Sequence, residues 1–106
     1  MVYEITDLEF ESFKETYIES YQPLVFKEIP VKEKRKYIIL CIVIHYFELG
    51  AYYSEKEINQ ILQPMLPDHV LIRRYLIDYQ MMDRNDSGSS YWLIKDPKEF
   101  KAFDLR

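Results

Sequence analysis

The chain has 106 residues, 48% of them hydrophobic and 30% charged, the balance of one globular domain and of neither a disordered chain nor a membrane protein. Its net charge of −4 puts nucleic-acid binding at a disadvantage, because contacts to phosphate dominate that affinity. Cys41 is the single cysteine, so there is no disulfide framework, and with 2 glycines there is no glycine-rich loop to cradle a phosphate.

Thr6-Asp7-Leu8-Glu9 is a capping-box pattern ahead of Phe10, Phe13, Tyr17, Ile18 and Tyr21 at helical spacing, which predicts a helix over 7–20. Pro23 breaks it, and 23–30 reads as an extended connector, since the residue before each proline is pushed out of the helical region. Lys32 to Leu49 predicts a second helix, apolar almost all round and therefore central, with Gly50 as its stop. The apolar run Tyr37–Phe47 is far short of the roughly 20 residues a membrane span needs. Residues 51–53 are short and extended. Ser54-Glu55-Lys56-Glu57 is a second capping box opening a helix to about Gln63, closed by Pro64 and Pro67, and Asp68 caps a third helix over 69–79. Residues 81–85 and 90–94 flank the polar turn Asp86-Ser87-Gly88-Ser89 as a β-hairpin. A charged tail follows Asp96-Pro97, with a short helix expected through Phe100 and Phe103.

Helix, short strand, helix, helix and hairpin is the order of a winged helix-turn-helix. The expected class is thus α+β, mainly helical, in three parts. Residues 1–25 form an acidic N-terminal helical extension, 26–95 the winged helix-turn-helix domain and 96–106 the charged tail. Charge follows this division. Residues 1–20 carry six acids and one base, a net of −5, while 26–95 carry ten bases and nine acids, a net of +1. A near-neutral body permits DNA binding without predicting it.

Ile29-Pro30, Lys34-Arg35-Lys36, the block Tyr53-Ser54-Glu55-Lys56-Glu57-Ile58, Arg73-Arg74-Tyr75-Leu76, Asp83-Arg84 and Gly88 with Tyr91-Trp92 resemble the bacterial domain of unknown function 2087 family. The likeness runs from Phe26 to Ile94. It implies a winged-helix fold, a place alone or in transcriptional regulators, and no catalytic motif. Where that family often has Gly followed by two apolar residues after the third helix, this chain has Tyr79-Gln80-Met81-Met82, so the turn into the hairpin is expected to differ.

The expected DNA-contacting residues are Tyr53, Ser54 and Lys56 at the start of one helix, His69, Arg73 and Arg74 on the next, and Arg84 and Lys95 in the wing. Arginine suits both guanine and phosphate. Adjacent residues point about 100° apart on a helix, so Arg73 and Arg74 cannot both face DNA, and Glu57 or Asp78 is the expected ion-pair partner of one of them. The aromatic stripe Phe10, Phe13, Tyr17 and Tyr21 must be covered, by default within its own domain, or else by the same helix of a second subunit in a homodimer. No zinc spacing, nucleophile elbow or cofactor motif occurs, so an enzyme, a metal and a cofactor are not expected. Met1–Ile5 lacks the basic-then-apolar pattern of a signal peptide, and with the lone cysteine this makes the cytoplasm the expected location. Two readings follow: a duplex-DNA-binding regulator, or a protein-interaction module on the same scaffold that does not touch DNA.

Overall fold

The computed structural model describes residues 3–105. Helix α1 (Asp7–Tyr17) opens as its sequence dictates: the Glu9 amide donates to Thr6 Oγ1 at 3.1 Å and the Thr6 amide donates to Glu9 Oε1 at 3.0 Å. It is three residues shorter than its periodicity predicts. Ile18 turns extended, and β1 (Ile18–Tyr21) pairs antiparallel with β2 (Leu24–Phe26) around a turn containing the cis peptide Gln22–Pro23. The predicted helix end and connector are therefore a hairpin. Its inward side chains, Ile18, Leu24 and Phe26, are buried in the core that α1 also faces, and the strand pairing satisfies backbone groups that a connector would leave to water.

Helix α2 (Glu33–Val43) has an unbroken buried run from Tyr37 to Val43, so other elements surround it, as its apolar sequence requires. It ends six residues before the predicted stop. A 3₁₀ turn at Ile44–Tyr46 follows, Phe47 turns back into the core in extended conformation, and Gly50, at φ +89, belongs to the next turn. Positive side chains in the first turn of α2 oppose the helix dipole. Acids offset them. Lys34 Nζ lies 2.6 Å from Glu9 of α1, and Lys36 pairs with Glu33 at 3.3 Å. The Lys34 ammonium holds the Glu9 carboxyl down at about 2, well below the usual glutamate range.

Beyond α2 the chain forms β3 (Tyr52–Tyr53), α3 (Glu55–Leu62), α4 (His69–Asp78), β4 (Met82–Arg84) and β5 (Tyr91–Leu93). The last two make the predicted hairpin, and β3 joins it on the far side of β5, in the order β3-β5-β4. Register puts Tyr52, Trp92 and Asp83 in one row and Tyr53, Tyr91 and Arg84 in the next. Both helix starts are capped as read from the sequence, α3 by the Ser54/Glu57 box and α4 by Asp68, which accepts from the Leu71 amide at 3.1 Å.

Helix α4 ends in a Schellman turn. The Met81 amide donates to the Leu76 carbonyl and the Gln80 amide to the Ile77 carbonyl, with Gln80 at φ +60. The chain thus makes, with a glutamine, the left-handed turn for which glycine is the usual residue. A side chain in that region carries a penalty of about 1 kcal/mol or more. Gln80→Gly is expected to raise stability by about 1 kcal/mol, measurable as a higher midpoint in urea with an unchanged slope.

The tail has a 3₁₀ turn at Pro97–Glu99 and no helix through Phe100 and Phe103. Both rings are anchored all the same. Phe103 stacks on Phe10 at 4.3 Å between centroids, and Phe100 lies 6.4 Å from Tyr37. The buried residues of α1, β1, β2, α2 and the α3–β5 unit form one cluster, so the acidic segment is built into the core and does not hang from it. Among the described residues no helix is long and apolar enough to cross a membrane.

Candidate functional site

Ile72 and Leu76 are the buried residues of α4, and this phase decides how its two arginines are used. Arg73 turns toward α3. Its guanidinium donates to Asn59 Oδ1 at 2.7 Å, lies 3.1 Å from Glu55 Oε1, and sits over the Tyr91 ring at 5.7 Å, leaving 14% of the side chain exposed. Arg74 points out with 75% of its side chain exposed, and its ion pair with Asp78 is long, at 3.7 Å. One arginine is built into the fold and the other faces outward on an exposed, weak pair, so the two point in different directions as their separation of about 100° implies. The partner of Arg73 is Glu55, not Glu57. Glu57 is occupied by the capping box, whose amide from Ser54 holds its carboxyl below the usual range.

Between α4 and the β4–β5 turn lies an open groove of about 470 Å³. Val70, Arg74 and Ile77 line its helical side, Arg84 and Tyr91 the strand side, and Gly88 its rim. Asn85 closes the turn. Its Oδ1 accepts from the Ser89 and Ser90 amides at 2.9 and 3.1 Å, and its Nδ2 donates to Ser89 Oγ at 2.9 Å. The polar residues of the expected wing are thus largely spent on one another. Gly88 sits at φ +73, so the turn needs a glycine here, and a Cβ would stand 3.0 Å from the end of the Arg84 side chain. The Arg84 side chain has no acidic partner among the described residues.

The other expected contact residues are dispersed. Tyr53 is a strut: its hydroxyl accepts from the Glu48 amide at 2.9 Å, and its ring meets Phe47 edge-on at 5.2 Å. Ser54 is the cap of α3. Lys56 and Lys95 are exposed, and His69 is half-buried at the start of α4; none of the three lines the groove. Of the stripe on the first helix, Phe10, Phe13 and Tyr17 are buried within the chain, which leaves only Tyr21, 44% exposed, free to meet a second subunit. The default covering is the one found, and the homodimer through this stripe loses three of its four residues. Sequence reasoning missed Tyr91, Asn59, Val70 and Ile77. Tyr91-Trp92-Leu93 is apolar throughout, so the sequence carries no alternation to say that Tyr91 faces inward.

Cys41 is buried, and burial pushes its thiol up to about 11, which suits packing and not nucleophilic chemistry. Among the described residues no three His, Cys, Asp or Glu side chains are grouped to hold a metal ion.

Two capped helices crossing beneath a small antiparallel sheet, with a groove between the second helix and the hairpin turn, define a compact α+β protein. Residues 25–93 match the family described as an uncharacterized protein conserved in bacteria, DUF2087, and the chain belongs to that family. No curated protein and no solved structure matches it.

Proposed function

We infer that residues 26–95 are a winged helix-turn-helix and that this unit binds duplex DNA in a regulatory role, with α4 entering the major groove and the β4–β5 turn as the wing. One observation carries the reading. Arg74 and Arg84, the two guanidiniums among the described residues that are not locked into the fold, line the same groove from the helix and from the hairpin. The order of helix, short strand, helix, helix and hairpin, with β3 joining the hairpin, supports the reading. Two copies of α4 would reach successive half-sites in a homodimer, which must then use a face other than the buried stripe of α1.

Duplex DNA should be bound at low salt, and Arg74→Ala and Arg84→Ala should each weaken binding and flatten the dependence of log K on log salt by about one. Fluorescence anisotropy on a pool of random-sequence duplexes reads both. Absence of binding at low salt by a folded, concentrated sample ends this reading.

A second reading, recognition of a protein partner without DNA, rests on the charge and polarity of the same face. Across 54–95 the five bases Lys56, Arg73, Arg74, Arg84 and Lys95 face six acids, a net of −1. The helical wall of the groove is apolar at Ile77 and at Val70, which is 52% exposed. Folded protein that ignores duplex DNA favours this alternative.

A further inference from the structure

Tyr91 is 4% exposed, yet its hydroxyl has no hydrogen-bond partner among the described residues. A buried phenol oxygen almost always finds one. The oxygen is not sealed off, since no fully enclosed side-chain polar atom lacks a partner, and Tyr91 is part of the groove wall. It lies next to Gly88, 3.7 Å from where a Cβ on that residue would stand, and the Arg84 guanidinium is 3.0 Å from the same point. An uncommitted O–H donor and an uncommitted guanidinium therefore both stand beside Gly88, in a turn that Asn85 holds closed.

We propose that the groove between α4 and the β4–β5 turn is a binding site for a phosphoryl group, with the Tyr91 hydroxyl and the Arg84 guanidinium as its donors and Arg74 closing the outer side. Charge supports an anion. The groove holds three guanidiniums, Arg73, Arg74 and Arg84, against the carboxylates of Glu55 and Asp78, a net of +1. Glu55 is engaged by Arg73 and Asp78 by Arg74, and Arg84 is left over. A phosphoryl group has enough accepting oxygens to take a forked guanidinium and a phenol hydroxyl at once. The volume of about 470 Å³ exceeds what a bare phosphate fills and is in the range of small-molecule sites, with Val70 and Ile77 placed to meet the organic part of the ligand. A phosphate of a DNA backbone and a phosphate of a small nucleotide-sized molecule present the same chemistry here. The site shares its arginines with the DNA reading but stands without it.

The test uses the full chain and its Tyr91→Phe and Arg84→Ala variants, checked for folding by circular dichroism, with three probes: inorganic phosphate, adenosine monophosphate and a short duplex. Tyr91→Phe removes one oxygen and leaves the ring under Arg73. It should weaken whichever phosphate-bearing probe binds by about tenfold, and Arg84→Ala by at least about as much. If duplex is bound, the variants weaken it and adenosine monophosphate competes, the occupant is a backbone phosphate and both proposals hold. If phosphate or adenosine monophosphate binds in a variant-sensitive way while duplex does not, the site belongs to a small phosphorylated molecule and the DNA reading alone fails. The proposal is overturned if neither variant weakens any of the three probes, whether or not duplex is bound by wild type.

Discussion

Phe13→Ala is expected to destabilise the entire chain by about 3–5 kcal/mol, the range for removing a fully packed aromatic ring, and not merely to fray the N-terminal helix. Phe13 is 3% exposed. Its ring lies 5.2 Å from Tyr17 and 6.4 Å from Phe26, so it joins α1 to β2 across the boundary that charge and resemblance suggest at residue 25. Because small domains unfold in one step, the loss should register equally in far-ultraviolet dichroism and in the fluorescence of Trp92, which sits on the distant sheet. An N-terminal extension that folds separately would instead give two transitions, with the Trp92 signal unmoved by the substitution.

The second large effect separates adjacent residues. Arg73→Ala is expected to cost about 2 kcal/mol, because it removes a charged hydrogen bond to Asn59, the pairing with Glu55 and the stacking over Tyr91, all at a largely buried site. Arg74→Ala should change stability by less than about 0.5 kcal/mol, since its exposed helix pair is weak. Arg73→Lys should recover only part of the loss, for an ammonium lacks the fork that reaches Asn59 and Glu55 together. Chemical denaturation of the three variants measures this. Equal, small losses at both positions would mean that Arg73 does not pin α3 to α4, and the division of labour between the two arginines would have to be abandoned.

Features set by a few neighbouring residues were legible in the sequence. The Thr6/Glu9 and Ser54/Glu57 boxes and the Asp68 cap need only three residues of chain, and each forms as read. The β1–β2 hairpin was not legible, because Phe10 to Tyr21 fits a helical stripe as well as a helix followed by a strand. What decides between them is pairing with Leu24–Phe26 and burial against α2, neither of which is local. The early end of α2 is hidden for the same reason: a run of apolar residues carries no mark of where the core stops accepting them. In the candidate site, spacing established that only one of Arg73 and Arg74 could face outward. Which one depends on Ile72 and Leu76 packing inward, and the choice of Glu55 over Glu57 depends on how α3 crosses α4 and on Glu57 already serving its cap. Tyr91-Trp92-Leu93-Ile94 is apolar throughout, so the inward face of Tyr91 and the place of its hydroxyl near Gly88 come only from the third dimension.

Residues 25–93 carry the family match, whereas α1 and β1 lie before it and still close one side of the same core. A relative built from that stretch alone would expose Phe26 and the flank of α2 that Phe13 and Tyr17 cover here. Such a chain must recruit a substitute lid, from its own sequence or from a neighbour. Every residue that lines the α4 groove, by contrast, lies inside the matched stretch, so an exchanged covering of α2 would leave that lining in place.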